Sequence, residues 1–157
     1  HLLSPRAHSG TPGQMMASSR ANLEFLKRYF ARDVFAESCG IELVEASNGT
    51  ATAVVRIEER HLNGIGIVHG GLLFTLADMA FAAAAHTRGH VSVSVSSTIS
   101  YIKAGRGKTL LAKAREIARN RRLATYAVDL VDETGEVIAA FQGLAYVKND
   151  PLPDLGE

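Results

Sequence analysis

The chain contains one cysteine, Cys39, so no disulfide framework can form within it. Next to Gly40, that thiol reads as a small buried hydrophobe. Neither sign of charge is in excess, with 17 Lys and Arg against 16 Asp and Glu. A net charge of +1 provides no global field for nucleic acid or an anionic membrane, so any anion site must be local. No apolar run approaches the ~18 residues of a membrane span. The N-terminus lacks a basic region followed by an apolar stretch, so no secretory signal is expected and a reducing cytoplasm is the expected compartment. His61, His86 and His90 lack ligand spacing, and one Cys supplies no thiolate cluster, so no metal is expected. A Gly-rich loop followed by Lys and Ser or Thr is absent as well, which leaves nucleotide hydrolysis without support.

What is present suits one globular domain with one core: 157 residues, 46% of them hydrophobic and 21% charged. Residues 1–17 mix Pro5, Gly10, Pro12 and Gly13 without a hydrophobic period and read as a flexible tail or an added extension. The domain is expected over 18–148, followed by a C-terminal tail at 149–157. Ser18 or Ser19 could cap a first helix carrying Leu23, Leu26 and Phe30. A short second helical piece with Val34 and Phe35 should end at Gly40.

Strands are expected at Ile41–Ser47 and Thr50–Ile57, joined at Asn48-Gly49, a dipeptide that accepts positive φ at both positions. After a loop, residues 71–87 form the only long helix, apolar nearly all round and so buried on most sides. Val91, Val93, Val95, Ile99 and Tyr101 then alternate with serines and threonine, which places the apolar set on one strand face. Residues 110–120, 123–132 and 136–148 continue as strands, the last two joined by Thr134-Gly135. The class is α+β: a long antiparallel sheet wrapped around one central helix, its other face left for solvent or a partner.

The chemistry concentrates in Asn63 to Gly71 and in Asp78. Glycines at the start of a buried helix let another molecule approach the backbone. The first N–H groups there lack intrahelical partners, and the helix dipole adds partial positive charge, which suits an oxyanion. Asp78 sits about two turns into a helix of Leu, Phe, Ala and Met, where a carboxylate is costly unless paired. From composition alone, a structural acid and a catalytic one are equally open.

Asn63, His69-Gly70-Gly71 and Asp78, in this order and spacing, resemble the signature of hotdog-fold acyl-CoA thioesterases of the phenylacetic-acid-degradation type. The resemblance continues through Val91–Tyr101, Lys103-Ala104-Gly105-Arg106 and the 135–147 hairpin, covering roughly residues 35–148. It implies the hotdog fold and hydrolysis of an aryl-acetyl or fatty acyl-CoA, with coenzyme A as part of the substrate and no separate cofactor. It also implies a site shared by two subunits of a homodimer or homotetramer. In that site Asp78 acts as nucleophile or general base, the Gly70 N–H polarises the thioester oxygen, Asn63 positions water or carboxylate, and His69 contributes to catalysis or orders the loop. Met79 departs from relatives that carry a hydroxyl or amide beside the carboxylate, which removes that assisting hydrogen bond.

For coenzyme A, the resemblance implies contacts from Gly71, Ser94, Ser96, Tyr101, Lys103 and Arg106, and from Arg119, Arg121 and Arg122. Arg offers forked donors to phosphate, although solvated turns are the commoner fate of such charge. Two competing readings stand beside this one. A hotdog hydratase or dehydratase would carry an Asp-x-Asn-Pro-x-His segment, and this chain has no proline between Pro12 and Pro151. A non-catalytic acyl-thioester binder would keep the fold without the Asn63, Gly70 and Asp78 set.

Overall fold

A computed structural model describes residues 21–156. The Ser18 and Ser19 caps and most of the expected N-terminal tail lie outside the described residues. Helix α1 spans Leu23–Phe30, and its cap is Asn22, whose Oδ1 accepts the Phe25 N–H at 2.9 Å. Helix α2 spans Val34–Ser38 and is capped by Asp33, whose Oδ1 accepts the Ala36 N–H at 3.0 Å. Each side-chain oxygen satisfies a donor that the first helical turn leaves free.

Strands β1 (Ile41–Ser47) and β2 (Thr50–Arg56) form the expected hairpin. Asn48 and Gly49 have φ of 45° and 81°, the pair of positive values that a two-residue turn requires. The long helix α3 spans Gly70–His86, and β3 (His90–Tyr101), β4 (Thr109–Arg119), β5 (Leu123–Val131) and β6 (Val137–Pro151) follow. All pairings are antiparallel, in the order β1-β2-β4-β5-β6-β3. The six-stranded sheet curls around α3, as the hydrophobic pattern implies.

Alanine dominates the core side of α3, with Ala77, Ala80, Ala83 and Ala84 fully buried. Small side chains bring the helix axis close to the sheet. Leu76 and Phe81 fill the remaining space, and burying each contributes about 1.5–3 kcal/mol. Gly143 of β6 is part of this fit, because a Cβ there would lie 2.8 Å from the Phe81 ring. Thr75, Asp78 and Ala82 are only half-buried and mark the more open stripe of α3, while the half-buried Phe74 packs on Phe141 of β6.

Two expectations are corrected. The strict alternation in β3 does not hold, because a bulge falls between Ser94 and Ser96. One extra residue reverses the facing of every side chain beyond it. Ser92 and Ser94 therefore share the helix side with Ile99, whereas Val93 pairs with Tyr146 on the outer side, where both are exposed. The expected tail at 149 begins too early. Strand β6 runs to Pro151, Leu152 is buried and bonds to Gly89, and Arg28 donates to the Gly156 carbonyl at 2.6 Å.

A polar network missing from the sequence reading fastens the C-terminal end of α3. Thr87 Oγ1 accepts the Gly49 N–H at 2.7 Å and donates to the Ala84 carbonyl. Arg88 pairs with Glu116 at 2.6 Å, and the Tyr126 hydroxyl donates to the same carboxylate at 3.2 Å. Burial and the Glu116 charge push the Tyr126 phenol up to about 12. Burial pulls Glu116 upward too, but its hydrogen bond and charge pairing with Arg88 win and hold it below the ordinary value. His86 is buried and stays neutral: Nδ1 donates to the Ala82 carbonyl at 2.6 Å, and Nε2 accepts from Ser92 at 3.3 Å. Its pKa is lowered, chiefly by burial.

Candidate active site

The loop between β2 and α3 is built to present a helix N-terminus. His61 is buried, with Nδ1 accepting the Glu58 N–H at 2.9 Å and Nε2 donating to the Cys39 carbonyl at 2.8 Å. It ties the end of α2 to the loop and acts structurally. Asn63 Oδ1 accepts from Ile65 and Ile67 at 3.1 and 3.2 Å, which shapes the turn and leaves the amide NH2 for a ligand.

The first four N–H groups of α3 can be accounted for individually. The Gly71 N–H donates to His69 Nδ1 at 2.8 Å, and those of Leu72 and Leu73 both reach the His69 carbonyl. Among the described residues the Gly70 N–H has no protein acceptor. It is the one free donor at the positive end of the helix dipole. His69 is thus a helix cap with its proton on Nε2. Gly71 serves this cap, and a Cβ there would lie 3.0 Å from the His69 ring.

Tyr101 closes over this corner. Its hydroxyl donates to the Gly70 carbonyl at 3.0 Å, and a Cβ at Gly70 would lie 3.0 Å from its ring. Asn63, Gly70, Tyr101 and Lys103 line one cleft of 340 Å³. Lys103, Ala104 and Gly105 also line a neighbouring cleft of 570 Å³ that reaches Arg106. Lys103 is paired with Glu136, and the Arg106 backbone donates to Asp132 at 2.9 Å.

The other expected basic residues lie elsewhere. Arg119 is 3.8 Å from Glu116, Arg122 donates to Asn149 at 2.7 Å, and Arg121 occupies the same exposed turn. The turn lies about 24 Å along the sheet from the Gly70 corner, the rise from Ala139, which pairs with Tyr101, to Tyr146, which pairs with Leu123. Of these basic residues, Lys103 lines the Gly70 cleft and, with Arg106, the neighbouring one. The bulge in β3 also splits the expected serine pair: Ser94 faces the helix side, bonded to Ser97 at 3.2 Å, and Ser96 faces outward.

Asp78 lies on the more open stripe of α3. No described residue gives its carboxylate a hydrogen bond or an ion pair. Burial, and then the negative charge of Asp33, raise its pKa above the ordinary 3.8. An unpaired carboxylate with raised basicity fits a general base or nucleophile better than a structural acid. Along the helix Asp78 is eight residues from Gly70, about 12 Å of rise. One carbonyl cannot meet both groups of the same chain.

Residues 65–139 match the Thioesterase superfamily. The acyl-coenzyme A thioesterase PaaI of Escherichia coli is 30% identical over 118 residues, 74% of this chain and 84% of that protein. The chain belongs to the thioesterase superfamily, among its phenylacetic-acid-degradation members. A mutant of the phenylacetic acid degradation protein PaaI from Thermus thermophilus superposes on this thioesterase with TM-score 0.69 and 37% identity, covering 73% of this chain and 98% of the other. A hypothetical thioesterase protein from Streptococcus pneumoniae, solved with coenzyme A, aligns at TM-score 0.73 and 25% identity, covering 80% and 98%. The fold is therefore the hotdog.

Two features of this site carried no signal in a family signature. The charge of Asp33 acts on Asp78 although 45 positions separate them. Asp before an apolar pair is a helix-start signal, but its influence on Asp78 leaves no trace in the sequence. Tyr101 over Gly70 depends on how β3 curls, which no local pattern encodes.

Proposed function

We propose that this protein hydrolyses acyl-CoA thioesters to a free acid and coenzyme A, with Asp78 as nucleophile or general base and the Gly70 N–H as oxyanion donor. The observation that carries the reading is the pairing of an unpaired, basic Asp78 with a single free N–H at the start of the same helix. Kinship with an acyl-coenzyme A thioesterase and the coenzyme A bound to a structural relative support the substrate class. Free thiol followed across short, medium, long and aryl acyl-CoAs tests it. Release well above background is expected on at least one, and none on any would refute the reading.

The ~12 Å between Gly70 and Asp78 calls for two chains. Strand β3 offers the means: it is a sheet edge with exposed Val93 and Val95, and unpaired edges invite pairing. Antiparallel pairing across β3 brings the Tyr101 end of one chain to the His90 end of its partner. The more open stripes of the two central helices, each with its Asp78, then face the partner's Gly70 corner. The protein is expected to sediment as a homodimer or a tetramer of two such dimers. A stable monomer with full activity would contradict the shared site.

The same pairing brings the partner's basic turn, Arg119 to Arg122, toward the Gly70 end of the other chain. Coenzyme A phosphates are then reached by Arg106 from one protomer and Arg121 or Arg122 from its partner. Losing a charge-assisted contact costs roughly 1.5–3 kcal/mol, or roughly a 10- to 150-fold rise in KM at low salt. Maximum rate should change little, because the phosphates bind ground and transition states alike. Arg→Ala variants that keep the parent KM at low salt, singly and combined, would show the turns to be merely solvated.

A further inference from the structure

The 570 Å³ cleft that reaches Arg106 lies between two connections of the sheet: 102–108, which links β3 to β4, and 132–136, which turns β5 into β6. Lys103 and Arg106 come to it from the first, Thr134 and Glu136 from the second. The first connection has no helix or strand of its own, so its path is set by what it bonds to. At one end the Ile138 carbonyl accepts the Ile102 and Lys103 N–H groups at 2.9 and 3.1 Å, and at the other Glu133 Oε1 accepts that of Lys108 at 2.9 Å. Between these ends, Asp132 Oδ2 accepts the Arg106 N–H at 2.9 Å, and the Glu133 N–H returns a longer bond of 3.4 Å to the Arg106 carbonyl. Asp132 is buried, whereas the Lys103–Glu136 ion pair is exposed and adds little to the hold.

The two oxygens of Asp132 have separate partners. Oδ1 accepts the Thr134 N–H at 2.9 Å and the Thr134 hydroxyl at 2.5 Å. That is ordinary turn chemistry, an Asp side chain bonding the backbone two residues on. Oδ2 reaches across 26 positions to Arg106, which the turn itself does not require. Resting on the thioesterase reading above, we propose that Asp132 is a positioning residue for coenzyme A: by fixing the Arg106 backbone it holds the Arg106 guanidinium at the cleft where a phosphate of the substrate binds. A side chain on an anchored backbone loses less freedom on binding, so more of its contact reaches the affinity. The charge of Asp132 works the other way, because a carboxylate beside the cleft repels a phosphate. Anchor and charge therefore give opposite results when the charge is removed.

Asp132→Asn makes that test. The amide keeps an oxygen for the two Thr134 donors and sets its NH2 against the Arg106 N–H, two donors that cannot bond. Coenzyme A is the probe, its Kd measured by calorimetry on the full chain at low salt. Kd is expected to rise about tenfold, the low end of what a charge-assisted contact contributes, although a repelling charge has gone. On an acyl-CoA that turns over, KM should rise with kcat near the parent's, and KM for the matching acyl-pantetheine, which lacks the nucleotide phosphates, should not move. Acting through Arg106, the substitution should add nothing further to Arg106→Ala. Gly135→Ala is the stability control: φ there is 83°, which strains a side chain, so it weakens the same turn and lowers Tm without touching the Arg106 bond, and Kd should hold. An Asp132→Asn Kd at or below the parent's, a loss that persists in full in Arg106→Ala, or an equal loss in Gly135→Ala would overturn the proposal, as would a parent with no affinity for coenzyme A. A parent that binds coenzyme A yet hydrolyses no acyl-CoA would refute the thioesterase reading alone and leave the Kd comparison to decide the role of Asp132.

Discussion

Asp78→Ala is expected to turn over acyl-CoA at least ~100-fold more slowly than the parent, since removing a general base or nucleophile costs about 10²- to 10⁴-fold. Asp78→Asn should lose activity too, because an amide neither accepts a proton nor attacks a carbonyl. Neither variant should unfold. Burial and Asp33 raise the Asp78 pKa above 3.8, so the folded state favours the protonated acid. Between the ordinary value and the raised one the native state binds more protons than the unfolded chain, and stability declines as pH rises through that window. The ionised carboxylate therefore weakens the fold at neutral pH, and Asp78→Asn should melt at the parent temperature or above it there. Activity has the opposite slope, because catalysis needs the ionised form. The acid limb of kcat/KM should appear above the ordinary aspartate value and vanish in both variants. An Asp78→Ala enzyme with parent kcat would remove Asp78 from the mechanism.

Much of this site was legible in the sequence for physical reasons. A carboxylate among Leu, Phe, Ala and Met is costly, so its presence on a buried helix signals a use. Glycines before an apolar helix mark a backbone that something must approach. The hairpins were equally plain, since Asn48-Gly49 and Thr134-Gly135 carry turn chemistry in adjacent residues. What stayed hidden depends on contacts far apart in the chain. The bulge in β3 is set by pairing with β6, so Ser94 and Ser96 read as one face until that register is known. Arg119, Arg121 and Arg122 looked equivalent to Arg106 because sequence does not show that β4 carries them to the far end of the sheet. The influence of Asp33 on Asp78, and Glu116 between Arg88 and Tyr126, belong to the same class of long-range fact.

The Gly70 corner yields the other large effect. Losing one preorganised oxyanion donor costs about 10²- to 10³-fold in kcat. The donor here is a backbone group, so it can only be displaced. Gly70→Ala does this through packing: the new Cβ would lie 3.0 to 3.3 Å from three atoms of Tyr101, two ring carbons and the hydroxyl oxygen. Contacts so short force the ring or the helix terminus to shift, and a shift also breaks the bond from the Tyr101 hydroxyl to the Gly70 carbonyl. Gly70→Ala should therefore lower kcat on the order of 100-fold with a smaller change in KM. Tyr101→Phe removes only the hydroxyl bond and should cost far less, because the ring still closes the corner. The informative variant is the double one. If the lost rate comes from the steric push, trimming the ring with Tyr101→Leu makes room for the methyl group, and Gly70→Ala/Tyr101→Leu should recover much of it. The two changes would then be strongly non-additive, as expected of residues in direct contact. A Gly70→Ala enzyme with parent kcat, or a double variant whose losses simply add, would show that the position of this N–H does not set the rate.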